Sequence, residues 1–585
     1  MRSDLAALTP EAIAALSNMG LVKRATREIE EGRGPRLEED PDGTVRGIFE
    51  DGVVATLPPG KSLAQGNCTC LATTVCRHRV AVALAYPRGE APDEVPWSPG
   101  EIGDEELERF LGKRLLEKAR ALLAKGFRAQ VEGAAVRLPT CSVRFLVPRE
   151  LSMARCDCAD KGACAHLALA VWAARQGQQT VEFGATRSRR HELSAVEALS
   201  ERLLREGVVH AEGLEAQFER ARRQLAGMTW PLVLLDSLQE QLALYKASSG
   251  RYKVGEAAFA LLSLRTRLAG VSELSATYVL GQDTAPETEL DHLRLISLGA
   301  RIQGDRVRLY LADPAGQVLV LERAYTGPGV TLAGDVRLRD LARGQLVSQG
   351  VRRHANRSLT LRREKSKHSV MPLGQAWESL PESLQSLEFP PRPPRLLRPL
   401  VLAEDFVVLS LAEVEVAYAP GEQEIVASAV LPEGEEVRIA RAYEGAVPGA
   451  LDALARGLPS AVQVSGFLRH EAGDLVLEPV AFRTPDRVVV PDLEEPAPDW
   501  DLPLIALDPP ADPLAALVRK AWGLCEESVH FGTEQLSSGF AERRAELAGE
   551  LREHGLQSLA ARFEGTWDWY PAALRAWLAG ELVAG

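Results

Sequence analysis

No run of apolar residues in this 585-residue chain reaches the roughly 18 needed to cross a bilayer, so no membrane-spanning helix is expected. The opening stretch, MRSDLAALTPEA, lacks the basic-then-apolar pattern of a secretory leader, and the expectation is a cytoplasmic protein with reduced thiols. Excess positive charge is missing too. Lysine and arginine number 68 against 81 acidic residues, and a net charge of −13 argues against indiscriminate nucleic-acid binding by the whole surface, although a local basic patch escapes that objection.

The short motifs of catalysis are also absent. Gly60-Lys61-Ser62 looks like the end of a phosphate-binding loop, but Ala55 stands where that loop needs a glycine. His191-Glu192 lacks the second histidine of a zinc-protease helix, no Gly-x-Ser-x-Gly elbow occurs, and no Gly-x-Gly-x-x-Gly follows a strand. Histidines such as His210 and His530 stand singly and read as surface or core residues. The chain is expected not to be an enzyme.

What the chain does have is cysteine in a pattern. Cys68, Cys70, Cys76 and His78 form a Cys-x-Cys-x5-Cys-x-His array, and Cys156, Cys158, Cys164 and His166 repeat it, every member 88 positions on. Three thiolates and an imidazole fill a tetrahedral zinc shell, and a filled shell marks a structural site, because a catalytic zinc keeps one position open. Disulfides are a poor rival where thiols stay reduced, and an iron–sulfur cluster normally takes a fourth cysteine. Two structural zinc ions are therefore expected.

The spacing also dictates local structure. Sulfurs sharing a zinc lie about 4 Å apart, so Cys68 and Cys70 belong at a strand end or in a tight turn. Residues two apart on a helix are separated by about 200°, so Cys76 and His78 must straddle a helix start. The apolar runs Val80 to Tyr86 and Leu167 to Ala174 read as those helices. Val45 to Leu57 alternates around Asp51-Gly52 as a hairpin, and Ala135 to Val147 is the extended stretch of the second copy. Each module is strand, strand, zinc turn, helix. A finger of about 40 residues has too little core to fold without its metal. The remaining thiols, Cys141 and Cys525, have no Cys or His near them in sequence and read as core residues.

These eight ligands resemble the SWIM zinc finger, whose pattern is Cys-x-Cys, a variable gap and Cys-x-His on a ββα unit. In architecture the chain is also similar to the bacterial SWIM proteins encoded beside MoxR-type AAA+ ATPases and von Willebrand A domain proteins, and the opening LTPEAIAALSNMGLVKRA (Leu8 to Ala25) adds to that likeness. The resemblance implies an adaptor for protein interactions, with a MoxR-type ATPase and a von Willebrand A domain protein as partners.

With 46% hydrophobic and 25% charged residues, the chain has the composition of a globular α+β protein of several domains. A helix plus the first finger spans 1–90, and a second helix, Glu105 to Lys125, plus the second finger spans 98–178. Gly177 to Arg190 reads as a linker. A helical domain follows over 190–285, patterned by Leu232, Leu235, Leu238, Leu242 and Tyr245, with these leucines and Trp230 in its core. Beyond it the period changes to two. Arg323-Ala324-Tyr325 returns as Arg441-Ala442-Tyr443, and Leu341 to Gly344 as Leu454 to Gly457, which implies two related β-rich domains over 290–375 and 398–492. The proline-rich joint Phe389 to Pro394 separates them, and a helical C-terminal region occupies 513–585.

The first β-rich domain carries a basic segment. Between Arg337 and His368 ten lysines and arginines face only Asp340 and Glu364. Arg352, Arg353, Arg357, Arg362, Arg363, Lys365 and Lys367 are candidate phosphate contacts, and the alternative function is a nucleic-acid-binding protein using them with the fingers. The segment holds no aromatic side chain to stack on single-stranded bases.

Overall fold

The computed structural model describes the chain except residues 1, 18, 64, 71, 73, 74, 88–96, 161, 162, 184–192, 271–275, 282–286, 291, 292, 328, 363–367, 388–394, 472, 473, 508–512 and 565–585. The joint at 389–394, the tail beyond 564 and three of the basic candidates, Arg363, Lys365 and Lys367, thus lie outside the described residues. The architecture is the mixed α and β multidomain one expected, and it divides into two compact units: residues 1–184 with 288–291, and the rest. Among the described residues no helix is long and apolar enough to cross a membrane.

In the first unit each finger is a small sheet under a helix. Four antiparallel strands, Arg36–Glu39, Val45–Ile48, Val54–Leu57 and Asn67–Cys68, pair in chain order, and the helix Arg77–Ala85 buries Val80 and Val82 against them. The hairpin register, Val45 opposite Leu57 and Ile48 opposite Val54, is the one that Asp51-Gly52 implies, with Gly52 at φ 77° where a side chain would be strained. The second copy repeats the sheet as Phe127–Glu132, Ala135–Arg137, Ser142–Phe145 and Ala154–Cys156 under the helix Ala165–Ala174. Its sheet gains a fifth strand, Thr180–Phe183, beside Phe127–Glu132. That strand lies in the stretch read as linker: four residues bounded by polar turns carry too little pattern to stand out. The helix ahead of this finger is also two, Asp104–Leu111 and Lys113–Lys125, broken at Gly112 with φ 77°. The fingers share one unit, and Val147 and Met153 of the second copy pack into the core of the first.

Close packing of helix on hairpin sets one testable limit. A Cβ added to Gly47 would lie 2.1 Å from Val82 Cγ2 and 3.1 Å from Pro35 Cβ. A β-branched helical side chain has one strongly preferred rotamer and cannot swing aside. Gly47 pairs with Ala55, and its counterpart Val136 pairs with Val143, where the helical position matching Val82 is Ala170, so bulk is exchanged between strand and helix across the repeat. Gly47→Ala is expected to cost about 1–3 kcal/mol of stability in the first finger. Competition with a chromogenic chelator should show weaker zinc retention at one site of two, and Val82→Ala in the same chain should restore it.

In the second unit a helical body comprises Ser194–Glu206, Glu215–Gln224, Thr229–Lys246 and Val254–Gly270, with Trp230, Leu235, Leu238 and Leu242 buried. The C-terminal helices Pro513–Phe531 and Ser538–Glu553 pack onto it, Val529 entering its core and Cys525 fully buried beside Leu262 and Leu396. The two β-rich domains share a connectivity. In the first, Leu293–Gln303 carries a bulge between Ser297 and Ala300; its residues Leu293 to Ile296 pair with Gly344–Ser348, and those from Ile296 on pair with Arg306–Ala312. In the second, Phe406–Ser410 pairs with Gln463–Glu471, and Glu413–Ala419, two residues later, pairs with Glu424–Val430. Each domain also has a parallel contact at the corresponding place, Val320 opposite Ser358 as an isolated bridge and Arg438 opposite Val476, both partners displaced by 118 positions. In the second domain the two end strands of the ladder, Phe406–Ser410 and Glu413–Ala419, are consecutive in the chain.

Candidate metal centres

The ligands sit where the spacing demands. Cys68 ends the strand Asn67–Cys68 and Cys70 lies in the turn after it; Cys76 is the N-cap of the helix Arg77–Ala85, and His78 is that helix's second residue. In the second copy Cys156 ends Ala154–Cys156, Cys164 caps Ala165–Ala174, and His166 is the second helical residue. A cap has extended backbone and the next turn has not, so the chain reverses direction between the third thiol and the imidazole and brings both to one point. Even the supporting hydrogen bonds recur. The Val54 amide donates to Thr69 Oγ1 at 2.9 Å, and the Ser142 amide, 88 positions on, donates to Asp157 Oδ1 at 2.9 Å.

Within each set the four donor atoms lie within 4.8 Å of one another. The Cys68 Sγ to His78 Nδ1 and Cys156 Sγ to His166 Nδ1 separations are both 3.7 Å. A tetrahedral zinc with bonds of about 2.3 Å to sulfur and about 2.0 Å to nitrogen needs about 3.6 Å, so the donors fit the ion. Nδ1 is then the ligating nitrogen. The other ring nitrogen of His78 is buried without a hydrogen-bond partner, 3.8 Å from the Asp51 carboxylate, where an outer-shell acceptor for a metal-bound imidazole is normally found.

The donors of the second site interact strongly with one another. Burial would pull the His166 imidazole down, but Cys158 and Cys164 outweigh it and carry it up to about 10. The Cys158 thiol is held far below its ordinary range by hydrogen bonds from Cys156 and Cys164. The second cage is the better shielded, with all three cysteines buried, whereas Cys68 and Cys70 of the first are partly exposed.

Two features of the second site were not legible in the sequence. Residues 288–290, distant in sequence, lie at it, with Leu290 bridging Cys158 and the Ala159 amide donating to Glu289 O at 2.8 Å. Cys141, read as a plain core residue, is buried as expected but stands against Cys156 and Asp157. Strand pairing across the hairpin, not proximity in sequence, brings it there.

The basic segment is less uniform than its sequence. Arg353 is 0% exposed, so the expectation that it contacts phosphate fails: alternation in Val351–His354 turns it inward. Arg352 lies 3.4 Å from Glu287. Arg357 occupies a left-handed turn at φ 67° and is half-buried, while Arg362 is exposed.

Comparison with known proteins adds three findings. A family described as SWIM zinc finger matches residues 53–87 and 143–175. A family described as YehQ C-terminal OB-fold domain matches residues 403–513, the region of the second β-rich domain. The chain is also 30% identical over 607 residues to Protein YehQ of Escherichia coli (strain K12), a match covering 91% of this chain and 98% of that one.

Proposed function

The chain belongs to the YehQ family, and from that premise we propose that it is a non-catalytic adaptor in which two structural zinc ions fix surfaces for other proteins. The observation that carries this is the pair of Cys3His cages: every zinc position is taken by a side chain, so no site remains for water or substrate. The resemblance of the fingers and the opening residues to bacterial SWIM proteins supplies the partners, a MoxR-type AAA+ ATPase and a von Willebrand A domain protein. Affinity purification of the intact chain from its own cytoplasm is the test. Recovery of an AAA+ ATPase, lost when the zinc ligands are changed, is the expected result; its absence at near-native expression would remove the adaptor reading.

A second reading is nucleic-acid binding. Its support is the OB-fold family match, since that fold often binds oligonucleotides, together with exposed Arg337, Arg339 and Arg362 in the neighbouring β-rich domain. On this reading, labelled DNA or RNA binds with micromolar affinity, and Arg352→Ala with Arg357→Ala lowers the steepness of the log-log salt dependence by about one unit per lost phosphate contact. Binding no stronger than to albumin would end it.

A further inference from the structure

We propose that Cys141 is the resolving thiol of a peroxide-driven disulfide with Cys156, so that the second zinc site opens reversibly on oxidation while the first lacks the means. The inference goes beyond the adaptor reading and rests only on zinc being held at the second site. Cys141 is 1% exposed and Cys156 4%, and their sulfurs, with an Asp157 carboxylate oxygen, lie within 4.8 Å of one another. The pairing of Val143 with Cys156 continues through the Asp157 amide, which donates to Ser142 O at 3.2 Å. Cys141 therefore falls on the same face as Cys156, diagonal to it, where side chains come within reach.

The first finger provides an internal control. The matched amides of Val54 and Ser142 align the strands, and the loop before each closes alike, the Phe49 amide on Val53 O and the Leu138 amide on Cys141 O. The counterpart of Cys141 is thus Val53, a side chain packed against the first finger's core. Two cages with the same ligand types thus differ at this position, a thiol in the second and an isopropyl group in the first.

The chemistry balances with one peroxide. The Cys156 thiolate attacks a peroxide oxygen; an S–O bond forms, the O–O bond breaks, and hydroxide leaves. Cys156, so oxidised, would no longer serve beside Cys158, Cys164 and His166 as a zinc ligand. Cys141 sulfur then attacks Cys156 sulfur, forming the S–S bond of about 2.05 Å as the S–O bond breaks and water departs with the Cys141 proton. One thiolate, one thiol and one peroxide give a disulfide, water and hydroxide, the two sulfurs together losing the two electrons that the peroxide gains.

The test uses the full chain. Zinc is measured first: fewer than two ions would place the failure in the zinc reading. After one equivalent of hydrogen peroxide, alkylation and trypsin, the peptide 138–144 should be found joined to 156–161 with the bridge at Cys156. One zinc of two should be lost, then regained with dithiothreitol and added zinc. Cys141→Val, which installs the first finger's own residue, should keep two zinc ions and release neither at that dose. The proposal falls if Cys141 is still alkylated after the zinc has left, or if Cys141→Val loses its metal as fast as the parent.

Discussion

Cys76→Ser is expected to halve the bound zinc, from two ions per chain to one, and to unfold the first finger. Cys76 caps the finger helix and supplies the third sulfur, so its loss removes a ligand and leaves a hydroxyl that is a poor match for a soft site. Zinc binding in isolated fingers is worth about 10–16 kcal/mol, comparable with or larger than the whole stability of an ordinary domain at about 5–15 kcal/mol, so the finger cannot keep its fold without the ion. Burial alone does not rescue it, because its four strands are only two to four residues long. Damage should also reach the second finger, since Val147 and Met153 are buried in the first finger's core. The second unit has separate cores and should remain folded. Spectrophotometric zinc release and amide exchange check both halves: exchange should rise across residues 36–85 and stay unchanged across 194–264. Retention of two zinc ions would show the ligand assignment to be wrong.

The legible and illegible parts of this protein divide by the range of the interaction involved. Zinc ligands are legible because coordination fixes residue type and spacing locally, and recurrence at 88 positions leaves little room for chance. The hairpin at Asp51-Gly52 is legible for the same reason, a turn being decided by two residues. Cys141, residues 288–290 and the buried Arg353 were not legible. Each owes its place to pairing with a strand elsewhere, and a one-residue change of register would have turned each side chain to the other face. The internal repeat of the β-rich domains was visible in scattered matches such as Arg323 and Arg441. Its physical basis, a bulged first strand shared between two partners and a parallel contact at a constant displacement of 118, appears only when the strands are paired.

The same pairing explains where the second unit should be most sensitive. Arg301, on the long bulged strand of the first β-rich domain, is 4% exposed and reaches three carboxylates of the second. Its Nη1 donates to Glu478 at 2.6 Å, its Nη2 to Glu444 at 3.0 Å, and its Nε lies 3.5 Å from Asp492. Asp492 is itself buried, accepting from the Ile302 amide at 2.8 Å and from Arg441 at 3.1 Å. Burial pushes its carboxyl up to about 6, although Arg301 and the Ile302 amide pull it down. Arg301→Ala leaves three carboxylates facing the buried Arg441, with the more exposed Arg469 3.5 Å from Glu478. Removing one partner of a buried ion pair costs about 3–5 kcal/mol, so a fall in thermal midpoint on the order of 10 °C is expected. The pH dependence has a definite sign. A carboxyl raised above its unfolded value near 3.8 stabilises the fold when protonated and loses that contribution as pH rises through about 6. With Arg301 gone the carboxyl rises further, so the variant's deficit should be larger at pH 7 than at pH 5. Asp492→Asn in the Arg301→Ala background should recover part of the loss, because an amide oxygen still accepts from Ile302 without bringing a charge. A deficit that is independent of pH, or a double variant less stable than the single, would mean that the network is held by packing and not by charge.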